Sequence, residues 1–295
     1  MTLEQLRIFV AVAEQEHVTR GARDLNLTQS ATSAAIAALE ARYATRLFDR
    51  VGRRIVLTEA GRLFLVEARA VLARAGAAET VLADLAGLRR GSLALAASQT
   101  VGNYWLPRLI HRYRIRHPGI AVTLSIGNTT TVAAMVREGE AHVGIVEGEV
   151  DDAALAVDAV AEDRLVLVVA PDHPWAARAP EPPDAFATAR WVLRERGSGT
   201  RAVLEAVLRA LAVRPDTLDI ALELPSNEAV RAAVEAGAGA TVISELVVAS
   251  SLKAGTLAAV DIALPQRRFF ALRHKERYRT QAERELYRLL GEPTG

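Results

Sequence analysis

The stretch LTQSATSAAIAALE, Leu27 to Glu40, decides how this chain reads. It opens on hydroxyl and amide side chains, continues largely in Ala, and holds no basic residue. Thr28 is placed to cap a helix, and Ala31, Ala35, Ile36 and Leu39 fall on the side expected to be buried. Upstream, Leu3, Leu6, Phe9, Val10 and Ala13 recur at helical spacing and define a first amphipathic helix. Thr19 is placed to cap a second, short helix, RGARDL, which stops at Asn26. Two short helices across a tight turn, behind a supporting helix, form a helix-turn-helix pattern. Downstream, RLFDRVGRRIVLTEAG reads as two extended pieces about a turn at Val51-Gly52, a β-hairpin wing carrying Arg50, Arg53 and Arg54.

Charge agrees with a local role. The 295 residues carry a net charge of only +1, so the whole chain is no electrostatic binder of nucleic acid. Within residues 1–58, eight Arg stand against six Asp and Glu, with the excess concentrated at the wing. From Thr58, TEAGRLFLVEARAVLARAGAAETVLADLAGL reads as one long helix. Phe64, Ala68, Val71, Ala75, Ala78, Leu82 and Leu85 recur at alternating steps of four and three, a heptad seam that predicts pairing with a partner helix. Gly87 and Gly91, bracketing Arg89-Arg90, mark a linker.

After Gly91 the pattern changes. SLALAAS, IAVTLSIG, HVGIVEG, RLVLVVA, DIALELP and GATVIS read as strands. Between them NYWLPRLIHRYRIRH, TTVAAMVREG, TRAVLEAVLRALAV and NEAVRAAVEAG read as helices. The alternation predicts an α/β architecture with mostly parallel sheets. The SQTVGN, GNTTT, GSGTR and PSNE segments each lie between a strand and the following helix, where open α/β sheets place their ligands and free N–H groups favour anions.

Other classes are excluded on chemistry. With no cysteine there is no disulfide, thiolate metal site or cysteine nucleophile. No Walker loop, HExxH, GxSxG or complete GxGxxG after a strand is present, so no enzyme or cofactor is expected. The six His are scattered without metal-ligand spacing, so no metal is expected. The N-terminus MTLEQLRIFVAVAEQEH lacks the basic start and unbroken apolar core of a signal peptide, and no run approaches membrane-spanning length. The expected location is the cytoplasm.

The segment TRGARDLNLTQSATSAAIAALEARYATRLFDRVGRRIVLTEAG resembles the DNA-binding domain of the LysR-type transcriptional regulators, with the LTQSA entry, the LE...RLFDR exit and the R.LTEAG junction in register. LPRLIHRYRIRHPGI, VAPDHPWA and GAGATVIS extend the resemblance over nearly the whole chain. It implies a winged helix-turn-helix domain at 1–58, a linker and dimerisation helix at 59–90, and an effector-binding domain at 91–295. That domain would be α/β, of type II periplasmic-binding-protein-like fold, with lobe I at about 91–161 and 268–295 and lobe II at about 162–267. The implied assembly is a homotetramer, a dimer of dimers. Its implied partners are double-stranded promoter DNA, a small-molecule effector and RNA polymerase, with no membrane.

In a helix-turn-helix the first residues of the second helix approach the base edges, which here are Thr28, Gln29, Ser30, Thr32 and Ser33. Many family members carry Arg and Gln in the middle of this helix, where this sequence has Ala34, Ala35 and Ala37. Phosphate contacts therefore fall more heavily on Arg20, Arg23, Arg42 and the wing, with Arg53 or Arg54 entering the minor groove, and Thr19 joins the DNA-binding set. By the same resemblance the effector ligands are Ser98, Thr100, Asn128, Thr129, Ser198, Gly199, Thr200 and Asn227, with Gln99 and Asn103 as lesser candidates. Glu147 ends a strand at the same crevice, where it would repel an anion unless it is paired with Arg or reads a cationic or hydroxyl group. The SQTVGNYWLP, SIGNTT and IVEGEV trio is similar to the sulfur-metabolism branch, which implies an oxyanion such as sulfite or a sulfate derivative as effector, within a wider expectation of a small anion or carboxylate. A constitutive DNA-binding regulator without effector stays open, as does, more remotely, a ligand-binding protein or enzyme of binding-protein-like fold.

Overall fold

The computed structural model describes residues 1–51, 54–85, 91–148 and 150–292. It separates into two compact units, one of Met1–Ala86 with Glu138–Glu140, the other of Gly87–Arg137 and Ala141–Gly295.

In the first unit, α1 (Leu3–Gln15) begins with a reciprocal capping box between Thr2 and Gln5 and ends at Glu16 in a left-handed conformation. α2 (Val18–Asp24) starts from His17 without a side-chain cap, so Thr19 lies inside the first helical turn rather than capping it. The chain turns at Asn26, φ 57°, a conformation Asn tolerates better than most residues. α3 (Gln29–Tyr43) is capped by Thr28, whose hydroxyl accepts from the Ala31 N–H at 3.2 Å. Its buried side is Thr32, Ile36 and Leu39, while Ala31 is exposed. The expected face is therefore rotated by one residue at its start, because Ala gives almost no hydrophobic contrast by which to fix the stripe. α1 and α2 pack so closely that a Cβ at Gly21 would lie 2.9 Å from Val12.

The wing is an antiparallel pair, β1 (Phe48–Val51) and β2 (Arg54–Leu57), in register from Phe48↔Leu57 to Val51↔Arg54. Gly52 and Arg53 lie outside the described residues. α4 (Glu59–Leu85) follows. Phe64 and Ala68, the first two seam positions, pack into the unit's own core with Leu6, Phe9, Leu39 and Leu47. Phe9 stacks at 4.8 Å from Phe64 and 5.4 Å from Phe48. Further along the seam Val71 is 43% and Leu82 69% exposed, Ala78 is exposed and Ala75 half-buried. The expected linker at 86–90 lies outside the described residues.

The second unit has two lobes. The first contains β3 (Gly91–Ser98), a π-helical turn over Val101–Trp105, α5 (Leu106–Arg116), β4 (Ile120–Gly127), α6 (Thr129–Glu138), β5 (Val143–Glu147) and β6 (Leu155–Asp163). The chain then crosses to β7 (Leu165–Val169), the short α7 (Pro174–Ala177) and α8 (Asp184–Thr188), β8 (Arg190–Arg194), α9 (Gly199–Ala210), β9 (Asp219–Leu224), α10 (Asn227–Glu235), β10 (Thr241–Ser244), α11 (Glu245–Ala254) and β11 (Ala258–Val260). It returns through β12 (Arg267–His274) and α12 (Gln281–Leu290).

The first sheet runs β4-β3-β5-β12-β6, with β3 parallel to β4 and β5, and β12 antiparallel to β5 and β6. In the second lobe β10-β7-β11 is antiparallel and β8-β9 parallel, joined by a parallel bridge from Trp191 to Ala240. The sheets are thus mixed rather than mostly parallel. The chain crosses to the second lobe and returns once, and the returning β12 runs against β5 and β6. Leu93, Leu95, Ile145 and Phe269 fill the first core against Leu109, Tyr113 and Leu286, and Leu167, Val169, Trp191 and Leu204 fill the second. Among the described residues no helix is long and apolar enough to cross a membrane, and no cluster of His, Asp or Glu could hold a metal ion.

Candidate functional site

Two sites emerge, one in each unit. In the first, the Thr28 hydroxyl lies 3.1 Å from that of Ser30, and the Gln29 Nε2 donates to the Ser33 hydroxyl at 3.1 Å. Thr28, Gln29 and Ser30 are exposed and Ser33 is half-buried, so the start of α3 presents an amide and three hydroxyls outward. Thr32 does not join them: it is fully buried and its hydroxyl has no hydrogen-bond partner among the described residues. The i, i+4 geometry puts it in line with Ile36 on the core side.

Arg20, Arg23, Arg42, Arg46, Arg50 and Arg54 are all exposed, and no carboxylate of the described residues pairs with any of them. By contrast Arg7, Arg62 and Arg69, on α1 and α4, pair with Glu4, Glu59 and Glu14. Uncompensated guanidinium groups thus collect on the helix-turn-helix and the wing, the arrangement that suits phosphate contacts. Arg53 lies outside the described residues.

Sequence reasoning missed what fixes the wing. Glu40, near the end of α3, accepts from the N–H groups of Leu47 and Phe48 at 2.7 and 3.2 Å. The Thr58 hydroxyl donates to the Arg46 carbonyl at 2.8 Å and accepts from the Gly61 N–H at 2.9 Å. A Cβ at Gly61 would stand 2.1 Å from the Leu47 carbonyl oxygen, which explains the glycine there. One short loop is thereby tied to α3, to the wing and to the start of α4.

The second site lies between the lobes, at the carboxyl ends of β3 and β5 and the starts of α6, α9 and α10. All the residues expected as effector ligands come to this seam. Ser98, Thr100, Thr129, Glu147, Ser198, Gly199, Thr200 and Asn227 are buried, Asn128 and Gln99 half-buried, and Asn103 exposed. Many bond directly from lobe to lobe. The Gln99 amide donates to the Pro225 carbonyl at 2.7 Å and accepts from the Asn227 N–H at 2.9 Å. The Asn227 Nδ2 donates to the Thr100 hydroxyl at 3.1 Å, and Asn128 donates to Glu195 at 3.2 Å. Asn103 and the Tyr104 hydroxyl both donate to Glu228, at 3.2 and 3.0 Å. Burial, then this bond to Glu228, raises the Tyr104 pKa.

Charged residues not foreseen from the sequence complete the seam. Arg267, the first residue of β12, donates to Asp163 through Nε (2.9 Å) and Nη2, and to the Thr200 hydroxyl through Nη1 (2.9 Å). Its Nη1 also lies 3.9 Å from Glu147 Oε1. Asp163 takes a further bond from the Ser244 hydroxyl at 2.7 Å. Arg194 pairs with Glu195 and donates to the Asn227 Oδ1 at 2.5 Å. Burial alone would raise the Glu195 pKa, but the bonds from Arg194 and Asn128 outweigh it and hold the carboxyl below its ordinary range. The available signal was an Asp or Arg abutting an apolar strand, as in DRLVLVV and RRFFAL.

Comparison with known proteins follows the same division. Residues 3–62 match the description "Bacterial regulatory helix-turn-helix protein, lysR family", and residues 86–293 match "LysR substrate binding domain". The chain is 37% identical over 286 residues to the HTH-type transcriptional regulator YeiE of Escherichia coli K12, covering 96% of this chain and 95% of that protein. Its fold is similar to that of full-length CbnR complexed with its target DNA (TM-score 0.70, 20% identity), covering 98% of this chain and 99% of that one. It is also similar to the regulatory domain of CcmR from Synechocystis PCC6803 in complex with 2-PG (TM-score 0.62, 26% identity), covering 68% of this chain and 96% of that one.

Proposed function

The chain belongs to the LysR family of transcriptional regulators, and from that premise we propose a cytoplasmic homotetramer that reads promoter DNA through the start of α3. Gln29 contacts a base edge, Thr28, Ser30 and Ser33 reach bases or phosphates, and Arg20, Arg42, Arg50, Arg53 and Arg54 hold the backbone. The later positions of the α4 seam pair two chains. A small anion or carboxylate binds between the lobes and biases the regulator between states, which requires it to prefer one of them. RNA polymerase is the partner through which DNA binding becomes regulation.

The observation that carries the reading is the set of six exposed, uncompensated Arg side chains around an open amide and hydroxyl face. CbnR, of the same fold, is known with its target DNA, and CcmR with 2-PG, which supports both halves of the reading. The test is fluorescence anisotropy with the DNA upstream of the protein's own gene against a scrambled fragment at one fixed salt concentration. Preference for the native fragment is expected, and equal binding to both overturns the DNA-reading assignment. A thermal-shift screen against small anions tests the effector half. A selective stabiliser lost on Thr100→Ala or Ser198→Ala supports it, and a flat response favours a constitutive regulator.

A further inference from the structure

Two carboxylates are buried at the inter-lobe seam with one guanidinium between them. Asp163 is saturated: one oxygen takes Arg267 Nε and Nη2, the other the Ser244 hydroxyl. Glu147, 2% exposed, is served on one oxygen alone. Its Oε1 accepts from the Thr100 hydroxyl at 3.1 Å and lies 3.9 Å from Arg267, whose Nη1 donates to Thr200. Its Oε2 is buried and has no hydrogen-bond partner among the described residues.

Neither Thr100 nor Arg194 can turn to supply one. Thr100 already gives its proton to Glu147 and accepts from Asn227. Arg194, on β8, is committed to Glu195 and Asn227. Nor can Glu147 withdraw: its carbonyl accepts from Thr129 at 2.8 Å, and Gly199 packs so tightly that a Cβ there would stand 2.0 Å from that oxygen. A second orphan sits on the adjacent parallel strand, where the Ser98 hydroxyl is buried without a partner among the described residues. Ser198, at the start of the twelve-residue α9, makes no side-chain cap bond.

An ionised carboxylate can only accept, and so can an oxyanion with no proton left. The two would meet at like charge in a buried site. Buried polar groups left without partners are costly, so the missing partner of Oε2 must be a donor. We propose that Glu147 is a specificity-determining residue of the effector site, selecting a small anion that carries its own donor, a monoprotonated oxyanion or a hydroxy acid. The ligand hydroxyl donates to Glu147 Oε2, while Ser98 and the open start of α9 donate to its charged oxygens. This deepens the proposal that the inter-lobe cleft takes a small anion or carboxylate, and it rests on that reading.

The test uses the full-length protein and two matched pairs of probes in isothermal titration at pH 7: inorganic phosphate against sulfate, and glycolate against acetate. The first of each pair has a proton to give and the second has none. At least tenfold tighter binding of phosphate over sulfate, or of glycolate over acetate, is expected. Glu147→Gln, whose amide can donate, should collapse the ratio by admitting the partner without a donor. The wild-type ratio decides the question even if that variant fails to fold. Binding of the probes with less than tenfold preference in both pairs overturns the inference and leaves the small-anion reading in place, whereas the absence of binding by all four overturns both.

Discussion

Thr32 shows how one position divides reading from packing. Sequence placed it among the base-reading hydroxyls, yet its side chain is fully buried and its Oγ1 is unpartnered among the described residues. Removing a buried hydroxyl that has no partner relieves a desolvation penalty, so Thr32→Val should stabilise the protein by about 1 kcal/mol in thermal or urea melts. Affinity for target DNA should not change, and a loss of affinity would mean that Thr32 faces the duplex after all. Gln29 is the opposite case. Its amide is exposed and donates only to Ser33, a bond it can exchange for a bidentate pair with adenine. Gln29→Ala should weaken binding to target DNA by roughly 1–3 kcal/mol while barely altering binding to scrambled DNA. Equal losses on the two DNAs would reduce Gln29 to a general contact.

Among the elements, legibility followed contrast. The hydroxyl at Thr28 announced the start of α3 and the structure keeps it as the cap. Within that helix the face was misplaced by a residue, since a run of Ala carries little periodic signal. β3, β5 and β7 were legible as apolar runs because they lie inside their sheets. β6 was not: it is an edge strand, LAVDAVAED, half-exposed along much of its length and alternating with acids. The inter-lobe seam was legible in its small polar residues, which sit beside strand ends in the sequence. Its ionic centre was not, because Asp163 and Arg267 meet from positions 104 apart in the chain. The first turns of the α4 seam are spent on the chain's own core. Val71 and Leu82 remain exposed, and replacing both by Glu should leave the fold intact. Sedimentation should then show loss of the dimer, and an unchanged assembly would move the pairing surface off this seam.

At the scale of the whole molecule, a net charge of +1 leaves DNA affinity to the local Arg set and acid stability to a few buried groups. His142, just before β5, is tied to β3 twice: its N–H donates to the Ala94 carbonyl at 2.8 Å and its Nδ1 accepts from the Ala94 N–H at 3.1 Å. Burial, and then the Arg277 charge, lower its pKa below the ordinary value of 6.5. Burial lowers that of His173 as well, whose Nδ1 accepts from Trp175 at 3.1 Å. Both rings are held neutral in the fold, so between their folded values and 6.5 the unfolded chain binds more protons. Their contribution is complete above 6.5 and is lost as pH falls through that window. Glu283, raised by burial, acts in the opposite sense from 4.5 upward, and Glu195, held low, is lost only at still more acid pH. The melting temperature should therefore fall between pH 7 and the onset of carboxylate protonation. His142→Asn keeps an acceptor for the Ala94 N–H but has no proton to gain, so its melting temperature should fall less steeply over the same range. Identical slopes for the two proteins would assign the acid sensitivity elsewhere in the chain.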